Sequence, residues 1–291
     1  MSKIKKAVIP AAGLGTRVLP ASKSMPKEML TLVDKPSIQY IVEEASKSGI
    51  EDILIITSRG KTTIEDHFDR SPELEESLIA KKKYHILEEM KAISDLANIH
   101  YYRQPYAKGL GHAVLCAKSF VGNEPFAVLY GDDVIIGDNP VCKQLMDVYD
   151  EYGKGVVGMK EVSKELVKSY CSLDVENVGK NVYTVSDMIE KPQTEAEIKS
   201  LFAILGRCVL PPEIFGILEN TPPGAGGEIQ LTDAMAVLAR NGGMYGVDYD
   251  GKRYDMGNKL GILQAIVEVG MKHDEIGEDF RTYLKEIASS L

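Results

Sequence analysis

The chain has no Cys-x-x-Cys pair and no two histidines at metal-binding spacing, and its four cysteines, Cys116, Cys142, Cys171 and Cys208, lie far apart. These absences exclude the common zinc frameworks and leave free thiols in a reducing cytoplasm as the expected state. Positive charge is short as well. Lys and Arg number 34 against 43 Asp and Glu, a net charge of −9. That argues against general binding to nucleic acid or to a membrane surface, since both demand a basic face. No apolar run approaches the ~20 residues of a membrane span. The run that follows the basic residues 1–6 is short and stops at Pro10. What remains is a soluble cytoplasmic protein of 291 residues, long enough for one large domain or two modest ones with an ample core.

Two ligand-binding templates are missing too. Ala7 to Ile9 reads as a buried strand that runs straight into Ala11-Ala12-Gly13-Leu14-Gly15-Thr16-Arg17. This loop lacks the third glycine of the dinucleotide fingerprint, and it has no Gly-x-x-x-x-Gly-Lys-Ser/Thr. It nevertheless has the makings of an anion site. Its two glycines permit a tight turn and close backbone approach, and successive N–H groups can face one concavity. Arg17 can grip phosphate oxygens with its forked guanidinium, and Lys27 adds a second fixed charge. In an acidic protein an anionic substrate must be met by a local basic site, for which Arg17, Lys27 and Lys191 are candidates.

Pro36 can open a helix with Ile38, Ile41, Val42 and Ala45 on one face, closed by Gly49, and Ile53 to Thr57 is a further buried strand. Strand, helix and strand in this order form the unit of a parallel sheet with helices on its faces. Residues 61–97 read as charged surface helices. Lys81-Lys82-Lys83 lies among Glu75, Glu76, Glu88 and Glu89, which makes it a solvated helix face rather than a nucleic-acid site. The sheet resumes at Ile99 to Arg103, and a helix follows through Phe120, with His112 near its start as a packing or capping residue. Phe126 to Tyr130 is a strand ending in Gly131-Asp132-Asp133, carboxylates at the edge where open α/β sheets bind ligands. An acidic pair beside phosphates suggests Mg²⁺, which takes one or two carboxylates plus substrate oxygens and water. From Gly155 the texture turns to short strands, Val156 to Val162, Ser172 to Val175, Val182 to Ile189 and Phe202 to Leu210. Thr232 or Asp233 can cap a helix through Arg240. A strand from Met244 precedes Tyr254-Asp255-Met256-Gly257, and the tail from His273 sets Ile276, Phe280, Leu284, Ile287 and Leu291 at helical spacing.

Ala11 to Arg17, then Leu19-Pro20, then Pro26-Lys27-Glu28 resembles the opening of the sugar-nucleotide pyrophosphorylase family. Asp34-Lys35-Pro36-Ser37-Ile38-Gln39-Tyr40 narrows the likeness to the bacterial UTP:glucose-1-phosphate uridylyltransferases, and Glu190-Lys191-Pro192 and Gly226 to Ala234 extend it. The resemblance covers nearly the whole chain. It implies an α/β fold, a Rossmann-like mixed, mainly parallel sheet with helices on both faces and a smaller, β-rich sugar-binding portion. One domain would span 1–291, with 1–150 mainly for the nucleotide, 151–260 mainly for the sugar phosphate, and C-terminal helices at 261–291 available for assembly. The implied activity is Mg²⁺-dependent transfer from UTP to glucose 1-phosphate, by a homodimer or homotetramer.

The same resemblance implies roles by position. Ala11, Ala12, Gly13, Leu14, Gly15, Thr16 and Glu28 would contact the nucleotide, with Arg17 and Lys27 on its phosphates. Gln104 and Gly109 would read the pyrimidine, a primary amide being complementary to uracil's carbonyl and N–H. Asp132 and Asp255 would hold the metal, with Asp133 as support beside the nucleotide. Glu190 would take sugar hydroxyls and Lys191 the sugar phosphate. The chain departs from the pattern at Cys171, where the family usually has glycine, at Cys208, where it has tyrosine, and at Ser22, where threonine is common. A side chain at 171 could crowd a sugar hydroxyl. Uracil and thymine differ by one methyl, worth only ~1–3 kcal/mol in an apolar pocket. A thymidylyltransferase, an enzyme for another hexose phosphate, and a non-catalytic sugar-nucleotide-binding regulator therefore stay open.

Overall fold

Ala7, Val8 and Ile9 form the middle of the first strand, β1 (Lys6–Pro10), and are fully buried. The computed structural model, which describes residues 4–290, continues from this strand into the glycine loop and three short 3-10 turns. A two-residue ribbon follows, β2 (Thr31–Leu32) against β3 (Lys35–Pro36). Helix α1 (Ser37–Lys47) starts directly after Pro36 and buries Ile38, Ile41, Val42 and Ala45, the face its spacing predicts. Gly49, at φ 91°, supplies the left-handed turn that ends it.

Strand β4 (Asp52–Thr57) leads to α2 (Thr62–Phe68), α3 (Pro72–Ala80) and α4 (Tyr84–Ser94), then to β5 (Asn98–Arg103). The lysine triplet forms the exposed turn between α3 and α4, not a helix face, with Lys82 left-handed at φ 56°. The helix expected through Phe120 is broken into α5 (Leu110–Leu115) and α6 (Lys118–Val121). After these come β6 (Phe126–Leu129), β7 (Asp133–Ile136), α7 (Val141–Tyr152), β8 (Gly155–Glu161) and α8 (Lys164–Val167). The next group is β9 (Cys171–Gly179), β10 (Val182–Glu190), β11 (Phe202–Leu210), α9 (Ile214–Leu218) and α10 (Leu231–Arg240). The chain closes with β12 (Met244–Asp248), β13 (Lys252–Asp255), α11 (Lys259–Lys272) and α12 (Gly277–Ala288).

Nine strands make one sheet in the order β5-β4-β1-β6-β11-β8-β12-β10-β9. Pairing is parallel from β5 to β6, as the first half of the sequence predicts. In the second half β8 and β12 run parallel and the other pairings are antiparallel, so the sheet is mixed, as expected, with its continuous parallel part confined to β5, β4, β1 and β6. For one of these antiparallel pairs the physical reason is connection length. β9 and β10 are joined by a tight turn at Lys180-Asn181, which permits only antiparallel neighbours.

Successive residues of β1, β4 and β6 point to opposite faces, and each face carries a core. Val8, Leu54, Ile56 and Val128 meet Ala113, Val114, Phe215, Leu218 and Met235 from α5, α9 and α10. Ala7, Ile9, Ile53, Ile55 and Leu129 meet Ile38, Ile41, Ile64, Leu145 and Met146 from α1, α2 and α7.

Two expectations need correction. α10 begins at Leu231 with Gln230 in the capping position and no side-chain cap, so Thr232 and Asp233 sit inside its first turn. The tail helix begins at Gly277, leaving His273 and Ile276 before it; Leu291 lies outside the described residues. Phe280 of α12 packs against Gly270 of α11, where a Cβ would come within 3.0 Å of its ring.

Candidate active site

β1 and β6 are parallel neighbours, so the glycine loop and the Gly131-Asp132 turn leave the sheet at the same carboxyl edge. The two approach closely because Gly131 has no side chain. Its N–H donates to the Pro10 carbonyl at 3.2 Å, and a Cβ there would sit 2.6 Å from that oxygen. The loop then rises into solvent at Gly13 and Leu14, the latter 73% exposed, and turns at Gly15 with φ 66°. Ser22 donates from its hydroxyl to the Gly15 carbonyl at 2.7 Å, so serine in place of threonine retains this tether.

Four charged side chains from this edge converge. Lys27 Nζ donates to Asp132 Oδ2 at 2.5 Å, and Arg17 reaches Asp132 at 3.9 Å and Asp255 at 3.7 Å. Asp255 arrives on the β7–β13 ribbon, where it lies opposite Asp133 and where Met256 N–H donates to the Asp132 carbonyl at 2.8 Å. Burial would raise the Asp132 carboxyl, but the Lys27 ammonium, helped by Arg17 and Arg253, outweighs it and holds the group below the usual carboxylate range.

Two residues expected against the nucleotide point elsewhere. Glu28 is buried and paired at 2.7 Å with Lys61, whose ammonium also donates to the Ala11 carbonyl at 2.5 Å. Burial raises the Glu28 carboxyl, and Lys61 opposes that rise. Glu28 and Lys61 thus brace the loop from beneath. Asp133 is likewise buried, turned away to Arg253, whose Nε donates to Oδ1 at 2.7 Å. Burial lifts its carboxyl to about 6 despite Arg253. The spacing of Arg253 and Asp255 on one strand puts both on the same face, a signal that could have exposed Arg253 in advance. Lys61 leaves no such trace, nor does Arg207, fully buried under the site with its guanidinium on Glu44 of α1 at 2.6 Å.

The pyrimidine candidates lie at the end of β5. Gln104 is buried, and its Nε2 is 2.7 Å from Nδ1 of His112 in α5, so His112 serves a side chain and not a helix cap. Gly109 has φ 93°, and a Cβ there would lie 2.7 Å from Glu228 and 2.8 Å from the Ile229 carbonyl. The Gly226–Gln230 block therefore clasps this turn, with Ile229 N–H on the Lys108 carbonyl and Gly111 N–H on the Ile229 carbonyl, both at 2.8 Å.

Beside the facing ends of β9 and β10, a cavity of about 110 Å³ is lined by Tyr130, Tyr170, Cys171, Glu190, Gln230 and Thr232, among others. Cys171 and Glu190 face each other across β9 and β10. Burial raises the Glu190 carboxyl, with Lys191 and Thr232 opposing. Lys191 sits in a left-handed backbone, φ 46°, held by its N–H on the Tyr170 carbonyl at 2.9 Å. Its side chain is 51% exposed and lies 3.6 Å from Glu190. It is not part of the Arg17–Lys27 cluster. Arg253 spans the two regions, since it also donates to the Tyr170 hydroxyl at 3.1 Å and stacks on that ring. Cys208 is buried in β11 opposite Val128 and does not line the cavity.

Among the described residues no three His, Cys, Asp or Glu side chains form a metal-binding group. Asp132 and Asp255 nonetheless suit a hard cation that draws its other ligands from phosphate and water. Comparison with known proteins fits this geometry: the pattern of one family, nucleotidyl transferase, matches residues 6–272. The chain belongs to the nucleotidyl transferase family. Among relatives of this nucleotidyl transferase, the UTP–glucose-1-phosphate uridylyltransferase YngB of Bacillus subtilis is 54% identical over 285 residues, 98% of this chain and 96% of that protein. A UTP-bound UDP-glucose pyrophosphorylase from Acinetobacter baumannii superposes with a TM-score of 0.90 at 41% identity, covering 97% of this chain and 99% of that one. A UDP-glucose pyrophosphorylase complexed with UDP-glucose gives 0.85 at 41% identity, covering 93% and 100%.

Proposed function

We propose that this nucleotidyl transferase is a UTP:glucose-1-phosphate uridylyltransferase, joining UTP and α-D-glucose 1-phosphate into UDP-glucose with release of pyrophosphate. The observation that carries the reading is the convergence of Arg17, Lys27, Asp132 and Asp255 at the edge shared by β1 and β6. The names and ligands of the relatives supply the substrates.

An oxygen of the sugar phosphate attacks the α-phosphorus of UTP in line. The attacking phosphate is already ionised, so no general base is needed, and the chain's task is to hold two anions in contact. Backbone N–H groups from Ala12 to Thr16 cradle the nucleotide phosphates, while the Ala11 N–H is tied to the Ile56 carbonyl at 2.8 Å and anchors the start of the loop. Lys27 and Arg17 turn from Asp132 and Asp255 to phosphate oxygens. Gln104 reads the uracil edge beside Gly109. Glu190 takes sugar hydroxyls next to Cys171, and Lys191 neutralises the attacking phosphate. Asp132 and Asp255 would hold Mg²⁺, which offsets the charge that builds on the phosphates. The reading extends to a reducing cytoplasm, supported by four unpaired cysteines, and to a homodimer or homotetramer, supported by exposed Leu260, Leu263, Tyr283 and Ile287 on the last two helices.

The test is pyrophosphate release by the purified protein with UTP or dTTP against glucose 1-phosphate or galactose 1-phosphate, with and without EDTA. Fast, EDTA-sensitive release with UTP and glucose 1-phosphate alone is the expected outcome. Release with dTTP or with galactose 1-phosphate would change the substrate assignment, and tight UDP-glucose binding with no release would make the chain a regulator.

A further inference from the structure

Gln104 is an unusual residue to bury at the end of a strand. Only 6% of it is exposed, so its amide cannot be completed by bulk water and must be satisfied by protein or ligand. One partner is present. His112 Nδ1 lies 2.7 Å from Gln104 Nε2, and Cys116 Sγ is a further 3.9 Å neighbour of the same ring nitrogen. Burial and the Lys108 charge push the His112 imidazole below its ordinary value, which keeps it neutral near neutral pH and leaves a nitrogen able to accept. With the His112 proton on Nε2, Nδ1 accepts one N–H of Gln104, which retains its other N–H and its carbonyl oxygen side by side.

That remaining edge has a definite sense. Uracil offers an N–H flanked by carbonyl oxygens, which pairs with an amide oxygen beside an N–H. Cytosine offers a bare ring nitrogen beside an amino group, which calls for the same two atoms in exchanged positions. Turning the Gln104 amide over would bring its oxygen against an accepting His112 nitrogen at 2.7 Å, two acceptors in contact.

We propose that His112, kept as the Nε2-protonated tautomer, is a specificity-determining positioning residue: by accepting one N–H of Gln104 at Nδ1 it fixes the amide in the sense that reads uracil and rejects cytosine. This rests on the uridylyl-transfer reading and deepens it. His112 acts through Gln104 and touches neither reacting phosphate.

The test compares kcat/KM for UTP and CTP, each with glucose 1-phosphate, in the wild type, His112→Leu and His112→Asn. Leucine keeps an apolar body of similar shape and removes the acceptor; asparagine restores an oxygen at the place of Nδ1. His112→Leu is expected to lower the UTP:CTP ratio at least about tenfold, the equivalent of one hydrogen bond, chiefly through the KM for UTP. The KM for glucose 1-phosphate should stay unchanged, and His112→Asn should recover most of the ratio. An unchanged ratio in folded His112→Leu, beside a collapsed ratio in Gln104→Ala, overturns the assignment of His112. A wild type that uses CTP as readily as UTP overturns the uridylyl reading itself, and so is told apart from failure of the inference. If His112→Leu does not fold, His112→Asn and His112→Gln carry the same comparison: retention of the ratio by the former with its loss in the latter supports the role, and equal ratios refute it.

Discussion

The two ends of the site are built on different principles. At the nucleotide end, charges answer one another: Lys27 and Arg17 lie on Asp132 and Asp255, and Lys61 and Glu28 repeat the pattern one layer below. At the sugar end there is a small cavity, a buried Glu190, and a single half-exposed Lys191 on a strained turn. The first end holds its cations in place by pairing them, so an incoming triphosphate exchanges one anionic partner for another. The second holds its cation by backbone geometry and by a single neighbour, Glu190 at 3.6 Å, with no further ion pair among the described residues to form a cluster. Removing a group from the first should disturb both folding and catalysis, whereas removing Lys191 should disturb catalysis alone.

The largest expected effect is therefore at Asp132. Asp132→Ala strips a carboxylate from two cations and from the candidate metal site. Turnover should fall about 10³-fold by comparison with loss of an electrostatic catalytic contact, and the midpoint of urea unfolding should fall with it, because Lys27 is left poorly paired. Unaltered stability in that variant would mean that the cluster is not mutually supporting. Lys191→Ala comes next. Turnover should drop about 10²-fold with stability within about 0.5 kcal/mol of wild type, as for other exposed side chains. Near-normal turnover would take Lys191 out of the mechanism, and a large loss of stability would erase the contrast between the two ends.

A smaller effect is expected at Cys171. Cys171→Gly installs the residue the related pattern favours and enlarges the cavity beside Glu190. Glycine in a strand should cost about 1 kcal/mol of stability in denaturant titration, and the KM for glucose 1-phosphate should move by less than about fivefold while that for UTP stays put. A shift in the UTP value instead would show that the two ends are not separable at this strand. The smallest effect lies outside both ends, where His273 Nε2 donates to Asp34 Oδ2 at 3.0 Å. The hydrogen bond to Asp34 raises the His273 imidazole above its ordinary value, while burial lowers those of His67 and His112. A histidine raised by folding adds stability that is complete below its unfolded value and is lost as pH rises through the folded one. Ring-proton NMR should show His273 titrating last of these three, and Asp34→Asn should return it toward the others.

How much of this was legible in the sequence follows from how far apart the partners lie. β1, the loop, α1, β4 and β6 were readable because each announces itself within a dozen residues, as an unbroken apolar run or a helical face. The strands of the second half were readable as strands, but their direction was not, since direction depends on which neighbours they find in the sheet. Arg17, Lys27, Asp132 and Asp255 were named from motifs, and the structure brings them together. The pairings of the braces were hidden because each joins residues far apart: Glu28 to Lys61 across 33 positions, Asp133 to Arg253 across 120, where the spacing to Asp255 marked Arg253 but not its partner, and Glu44 to Arg207 across 163. A lone lysine or arginine looks the same in sequence whether it meets water or a buried carboxylate. For the same reason Glu28 and Asp133 were expected at the nucleotide when each faces inward.

The uninterrupted nine-stranded sheet has one more consequence. Proteins that clamp two substrates between separate lobes can change the gap by swinging on a hinge. Here the strands behind Asp132 and behind Glu190 are rungs of one ladder, spaced about 4.8 Å apart by backbone hydrogen bonds. The separation of Asp132 from Glu190 is thus a property of the scaffold, as graduations are of a ruler. Loops can tighten around the site, but the interval between these two carboxylate-bearing edges is set when the chain folds.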